Sequence, residues 1–143
     1  MQRTIRGLAI AGLTALVACG KDGGPLPPPT EQSVVGEYEL RNVNGVLPYL
    51  LGGNETQAVF IVSGSFDIRA DKSFTDLLTT RINYASGAPS SFQTDSRSGT
   101  YNFLGRNLEL IYVLPDTTVY DTVAITWNSL HQGNGDLVRT YRK

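Results

Sequence analysis

GEYELRNVNG, residues 36–45, alternates apolar and polar side chains and then reaches a turn signal. Tyr38 and Leu40 would face one side of an extended chain, and Glu37 and Glu39 would face the other. A period of two residues is typical of a half-buried β-strand. Asn-Gly is a strong signal for a two-residue hairpin turn, because both residues tolerate positive φ angles. The stretch therefore predicts a strand that leads into a hairpin, so the folded region begins as antiparallel sheet.

The same alternation recurs through the rest of the chain, without any sustained helical periodicity. Seven further strands are predicted, at residues 57–62, 65–69, 74–84, 97–104, 108–114, 118–127 and 136–142. Their connections include a turn at Ser63-Gly64, a long polar loop at residues 85–96 and a glycine-rich loop at residues 131–135. Such a meander forms either a sandwich or a closed up-and-down barrel. Because closure removes exposed sheet edges, we expect an all-β antiparallel barrel of about eight strands.

The N-terminus has the pattern of a secretory signal peptide. Arg3 and Arg6 precede an uncharged, mostly apolar run at residues 7–17. That run is shorter than the ~20 apolar residues that span a bilayer. Leu16-Val17-Ala18-Cys19 closes it and resembles the lipobox of bacterial lipoproteins. The resemblance implies cleavage before Cys19 and covalent lipid on its thiol and amine.

This resemblance also implies a location. A protein with two or three acyl chains on Cys19 would be anchored stably to a membrane of the cell envelope. Gly20, rather than an aspartate, follows the cysteine, which favours an outer-membrane lipoprotein facing the periplasm. We therefore expect the membrane to be a partner through the lipid anchor, and no other cofactor.

The chain divides into three parts. Residues 1–18 are the expected signal peptide, and residues 19–33 the lipidated cysteine with a linker rich in glycine and proline. Such a linker is an extended spacer without a core of its own. Residues 34–143 are long enough for one domain, which we expect to be monomeric.

Charge and cysteine content narrow the function classes. Loss of Arg3 and Arg6 with the signal peptide changes the formal net charge from −1 to −3. A mildly acidic domain argues against nucleic-acid binding. Cys19 is the only cysteine, so its lipidation would leave no thiol for a disulfide. The domain must then be stabilised by its apolar core.

Several short segments resemble the lipocalin-like lipoproteins of bacteria. The similar segments are Gly36-Glu37-Tyr38-Glu39-Leu40, Val43-Asn44-Gly45, Leu47-Pro48, Ala70-Asp71-Lys72-Ser73-Phe74 and Arg139-Thr140-Tyr141-Arg142. The resemblance implies a small calycin-like barrel that spans most of residues 34–143. It also implies that a basic residue of the last strand, Arg139 or Arg142, stacks over Tyr38.

No residue pattern predicts catalysis. His131 is the only histidine and lies in the predicted glycine-rich loop, where we expect it to be solvated. The sequence contains no Gly-x-Ser-x-Gly motif and no phosphate-binding glycine loop. We therefore expect no enzyme, no catalytic residues and no metal site.

The candidate ligand-cavity or core residues are aromatic, with one acid among them. We expect Trp127 to cover one end of the barrel. Asp121 lies among apolar residues of its predicted strand. It meets a polar group of a ligand, is turned to solvent by a bulge, or pairs with Arg81, Arg97 or Arg139. The full set is Tyr38, Phe60, Phe66, Phe74, Tyr101, Phe103, Tyr112, Asp121, Trp127 and Tyr141.

The sequence leaves the function open among three classes. The first is an envelope lipoprotein whose barrel binds a small apolar or amphiphilic ligand. The second is an interaction module that binds another envelope protein and has no ligand cavity. The third, an enzyme, is the least supported. A cavity above ~300 Å³ lined by the aromatic residues would favour the first class, and a filled barrel with a contiguous exposed apolar patch the second. A cleft that holds Asp121 beside His131 or another carboxylate would favour the third.

Overall fold

A computed structural model describes residues 26–133 and 135–143. The expected signal peptide, Cys19 and the first part of the linker lie outside the described residues. Within those residues, no helix has the length and apolar character to cross a membrane. The elements are α1 (Glu31–Val34), β1 (Gly36–Val43), β2 (Tyr49–Gly53), β3 (Gln57–Ile68), β4 (Ser73–Tyr84), β5 (Ser91–Phe103), β6 (Asn107–Val113), β7 (Thr118–Ile125), β8 (Ser129–Gln132) and β9 (Arg139–Arg142).

Eight of these strands close into an antiparallel barrel, as the alternation predicts. The strands follow the order β1-β9-β8-β7-β6-β5-β4-β3, and β3 pairs with β1 to complete the circle. β2 pairs with the first half of β3, whereas β1 pairs with its second half. The barrel is therefore extended on one side by a four-stranded sheet formed by β2 and parts of β3, β4 and β5.

The predicted Asn-Gly turn is confirmed. Asn44 and Gly45 have φ angles of 50° and 87°. The amide of Val43 donates to the carbonyl of Val46 at 2.8 Å, and the reverse bond measures 3.1 Å. The two-residue turn matches the right-handed twist of a hairpin.

Ser63-Gly64, predicted to be a turn, lies instead inside the continuous strand β3. A Cβ atom at Gly64 would lie 2.7 Å from the carbonyl oxygen of Leu77 on β4. The glycine therefore permits close approach of two strands rather than a chain reversal. A register shift between Ile61 and Ser63 adds the irregularity that the strand needs to change its pairing from β2 to β1.

Two predicted loops are partly strand, and two strands, β2 and β8, were missed. Residues 91–96 of the expected polar loop belong to β5, and all six pair with β4. His131 lies in β8, where its Nδ1 is 3.3 Å from Oγ1 of Thr140. β2, at residues 49–53, carries mostly exposed residues and lacks the alternation that identifies a half-buried strand.

The barrel core is aromatic at its centre. The Phe66 and Phe74 rings stack at 5.4 Å, and Tyr141 and Tyr112 meet them edge-on at 5.8 and 5.0 Å. These four residues, with Tyr38 and Tyr101, are the predicted aromatics that are buried. Phe103 is half-buried and packs against the same core.

α1 and the C-terminus cover the end at which the chain enters the barrel. The Tyr38 hydroxyl donates to the carbonyl of Val34 at 2.8 Å. Nζ of Lys143 donates to the carbonyls of Ser33 and Val35, both at 2.7 Å, and lies 4.9 Å from the Tyr38 ring centre. The basic residue over Tyr38 is thus Lys143. The expectation of Arg139 or Arg142 was wrong, because Arg139 points into the barrel and Arg142 is exposed.

Trp127 and Phe60 are the two predicted core aromatics that lie elsewhere. Trp127 is 52% exposed, because β7 ends at Ile125 and the indole belongs to the following turn. Phe60 lies on the outer face of β3, since Ile61 takes the inward position before the register shift. The Arg81 guanidinium lies 5.4 Å from the Phe60 ring centre on that outer face.

Candidate functional site

A layer of polar side chains lies above the aromatic core, inside the barrel. Asp76 on β4 is only 2% exposed. Its Oδ1 accepts a hydrogen bond from the Tyr141 hydroxyl at 3.2 Å, and its Oδ2 lies 3.5 Å from Nη1 of Arg139. Burial raises the pKa of Asp76, and the charge of Arg139 and the Tyr141 hydroxyl offset part of that rise. Arg139 and Tyr141, both on β9, therefore compensate the charge of the Asp76 carboxylate, which is shielded from water.

A second polar group links β6, β7 and β8. Nε2 of Gln132 donates to the Tyr112 hydroxyl at 3.2 Å and to Oδ2 of Asp121 at 2.9 Å. Burial raises the pKa of Tyr112 to about 12, so its hydroxyl remains protonated at neutral pH. Gln132 is buried, and its Oε1 has no hydrogen-bond partner among the described residues. The network therefore holds the Asp121 carboxylate in one orientation.

A cleft of about 690 Å³ opens beside this second polar group. Its charged and hydroxyl-bearing wall includes Arg97, Tyr112 and Asp121. Ser96 and Ser98 flank Arg97 on the β5 side. The volume lies in the range of about 300–1,000 Å³ that is typical of small-molecule sites.

Strand lengths create the cleft. β6 pairs with β5 only from Thr100 to Phe103, whereas β4 pairs with β5 from Ser91 onward. Within the described residues, the opposite edge of residues 91–98 therefore has no paired strand. The β6–β7 hairpin stands across from this edge, and the cleft occupies the gap between them.

The hairpin also contributes apolar, accessible side chains to the cleft. Val113 is 76% exposed and Tyr120 63% exposed, and Leu114 and Val119 are also exposed. Scattered exposed apolar residues are ordinary, but a contiguous group at the rim of a cleft marks a binding site. The cleft therefore offers an apolar surface next to a polar wall.

A second groove, of about 460 Å³, lies on the other side of β7 and holds Glu109, Asp121 and His131. The groove thus has the lining that the sequence analysis named for an enzyme, but each of these three side chains forms its hydrogen bond with a group outside the set. Glu109 accepts from Asn102 at 2.9 Å, Asp121 accepts from Gln132, and the near neighbour of His131 is Thr140. Across residues 26–133 and 135–143, no three His, Cys, Asp or Glu side chains are grouped to hold a metal ion.

The structure thus brings two predicted residues, Tyr112 and Asp121, to the cleft. Sequence reasoning named Arg97 only as an ion-pair partner for Asp121, and the described residues show no such pair. It missed Asp76 and Gln132, and Gln132 lay inside a segment predicted to be loop. Asp76 follows Phe74 with the period of two that places it on the inward face of β4. Its position was therefore available from the sequence, although its partners on β9 were not.

No protein-family model, no curated protein and no solved structure matches this chain. The roles of the cleft residues therefore have to be inferred from their own geometry and chemistry.

Proposed function

We propose that the protein is a lipid-anchored envelope lipoprotein whose barrel binds a small amphiphilic ligand. The observation that supports ligand binding is the cleft between β5 and the β6–β7 hairpin, which is large enough for a small molecule. Its lining combines charges and hydroxyls, contributed by both β5 and the hairpin, with exposed apolar side chains of the hairpin. A molecule with a polar head and an apolar tail matches both kinds of lining at once.

The position of the cleft fits an anchored protein. Connections in an antiparallel meander alternate between the two ends of the barrel, so the β6–β7 hairpin lies at the end opposite the entry of the chain into β1. α1 and Lys143 cover the entry end. A lipid on Cys19 would hold that end toward the membrane, and the cleft would face the aqueous compartment.

Ligand binding is tested with one variant in the cleft and one at the opposite end. In the full chain carrying Cys19→Ser, so that no covalent lipid competes, Val119→Lys should weaken binding of dodecyl maltoside by about tenfold or more, because it places a charge on the apolar wall. Titration calorimetry below the critical micelle concentration measures the affinity.

Trp127→Ala is the matched control, because Trp127 is an exposed apolar residue remote from the cleft. It should leave the affinity unchanged. Equal affinity of all three proteins would contradict binding at the cleft, and failure of the parent protein to bind would contradict the proposed function itself.

A second candidate function is docking of another envelope protein on the outer face of the sheet extension. One cross-strand row of that face contains Leu50, Phe60, Arg81 and Phe92. Leu50 and Phe92 are exposed, and the Arg81 guanidinium lies over the Phe60 ring. Such a row is the kind of apolar surface that a protein partner covers. Phe92→Ser should then weaken capture of an envelope partner while leaving amphiphile binding unchanged.

The anchor has its own test. The parent chain should incorporate labelled palmitate and sediment with membranes, because a doubly or triply acylated cysteine binds bilayers stably. Cys19→Ser should lose both the label and the membrane association. Gly20→Ser, one residue away, is the control and should retain both. Equal labelling of the parent and Cys19→Ser would refute the lipidation site.

A further inference from the structure

The cleft contains one positive and one negative side chain that do not pair with each other. Ion pairs within the described residues involve Arg41, Arg69, Lys72 and Arg139. Arg97 belongs to none of these pairs, and neither does Asp121. Both residues line the cleft, Arg97 from β5 and Asp121 from β7.

The buried carboxylate that faces Arg97 is already engaged. The charge of Arg97 lowers the pKa of Asp76, but the two side chains form no ion pair. Asp76 lies directly opposite Arg97 in the β4–β5 register, on the same face. Its two oxygens, however, meet Arg139 and Tyr141, and its carboxylate is buried. Arg97 is exposed and presents a planar group of five N–H donors to the cleft, a geometry suited to phosphate or carboxylate.

Asp121 also retains binding capacity. Its Oδ1 accepts from the amide of Thr122 at 2.8 Å, and its Oδ2 accepts from Gln132 at 2.9 Å. A carboxylate has about four acceptor positions, so at least one position on each oxygen remains open. Neither donor is a cation, so Asp121 has no ion-pair partner among the described residues.

We infer that the ligand of this cleft carries a zwitterionic headgroup, with its anionic group on Arg97 and its cationic group near Asp121. This inference rests on the proposed function and specifies the ligand class. A purely anionic head would meet the unpaired carboxylate of Asp121, and a purely cationic head would meet Arg97. Only a head of both signs complements both residues, while the apolar tail lies on Val113, Val119 and Tyr120.

Four amphiphiles with one dodecyl tail test the charge of the head. They are dodecylphosphocholine, dodecyl phosphate, dodecyltrimethylammonium and dodecyl maltoside, titrated into the full chain carrying Cys19→Ser. We expect dodecylphosphocholine to bind about tenfold more tightly than each of the other three. Phosphocholine without a tail should bind far more weakly. If it bound equally tightly, the ligand would be a free zwitterion, and the amphiphile proposal would be overturned.

Two variants test the contributions of the Arg97 and Asp121 charges to binding separately. Arg97→Gln should weaken dodecylphosphocholine and dodecyl phosphate by about tenfold and leave dodecyltrimethylammonium unaffected or improved. Asp121→Asn should weaken dodecylphosphocholine and dodecyltrimethylammonium by about tenfold and leave dodecyl phosphate unaffected or improved. Arg106→Gln is the control, because Arg106 is an exposed arginine at the closed end of the barrel beside Trp127.

The outcomes distinguish this inference from the proposed function. If dodecyl maltoside binds as tightly as dodecylphosphocholine and neither variant changes any affinity, the zwitterionic head is refuted while the amphiphile cleft stands. If none of the four amphiphiles binds, the proposed function fails as well. Loss of the charge preference in Arg97→Gln and Asp121→Asn, but not in Arg106→Gln, supports the inference.

Discussion

Arg139→Met should lower the free energy of unfolding by about 3–5 kcal/mol at neutral pH, because it leaves the buried Asp76 carboxylate without its positive partner. The side chains of both residues are largely shielded, with exposed fractions of 11% and 2%. Methionine fills much of the volume of the arginine stem, so the effect isolates the charge rather than the packing. Urea denaturation followed by circular dichroism measures it.

The cost should depend on pH in a defined direction. The pKa of Asp76 is raised by folding, so the native state binds its proton more readily than the unfolded state, and stability falls as the pH rises through this interval. Removal of Arg139 raises the pKa of Asp76 in the folded protein further. The pH range over which stability is lost then extends to higher pH. The variant and the parent should therefore converge as the pH falls toward the ordinary aspartate pKa of 3.8, because Asp76 is then protonated in the folded state of both proteins.

Asp76→Asn combined with Arg139→Met is the control for this coupling. The double variant has no buried charge to compensate, so it should recover most of the stability that the single variant loses. If single and double variants lose the same free energy at every pH, the carboxylate is not the cause of the loss.

Phe66→Ala should cost about 3–5 kcal/mol, because it removes a fully buried ring and leaves a cavity. Phe66 is 0% exposed and contacts the rings of both Phe74 and Tyr141. Trp127→Ala deletes a larger side chain but should cost only about 0.5–1 kcal/mol, since half of the indole is already in water. Thermal and urea unfolding of both variants compare the two positions directly.

Size and hydrophobicity alone predict that Trp127→Ala costs more free energy of unfolding than Phe66→Ala. The burial of the two side chains predicts the opposite order. If Trp127→Ala proved as damaging as Phe66→Ala, the turn after β7 would have to pack into the core. If Phe66→Ala unfolded like the parent, the stacked aromatic centre would contribute little to stability.

The aromatic residues show which part of the core can be predicted from the sequence. Tyr38, Phe66, Phe74, Tyr101 and Tyr141 alternate with polar neighbours, and each faces inward as that alternation predicts. Trp127 breaks the rule because the alternation was extended two residues beyond the end of β7. Phe60 breaks it because the register shift at Val62 exchanges the two faces, and no local pattern marks that shift.

The sequence by itself determined an antiparallel all-β barrel of about eight strands, its first turn and most of its core, because period-two burial and Asn-Gly turn chemistry are local properties. It also predicts an N-terminal anchor at Cys19, which awaits its own test. Only the tertiary structure decided where the barrel is open. A polar strand such as residues 91–96 is stabilised by pairing with β4, which its own composition does not reveal. The cleft depends on the unequal lengths of β5 and β6, and its opposite charges, Arg97 and Asp121, come together only because distant strands share one face of a closed sheet.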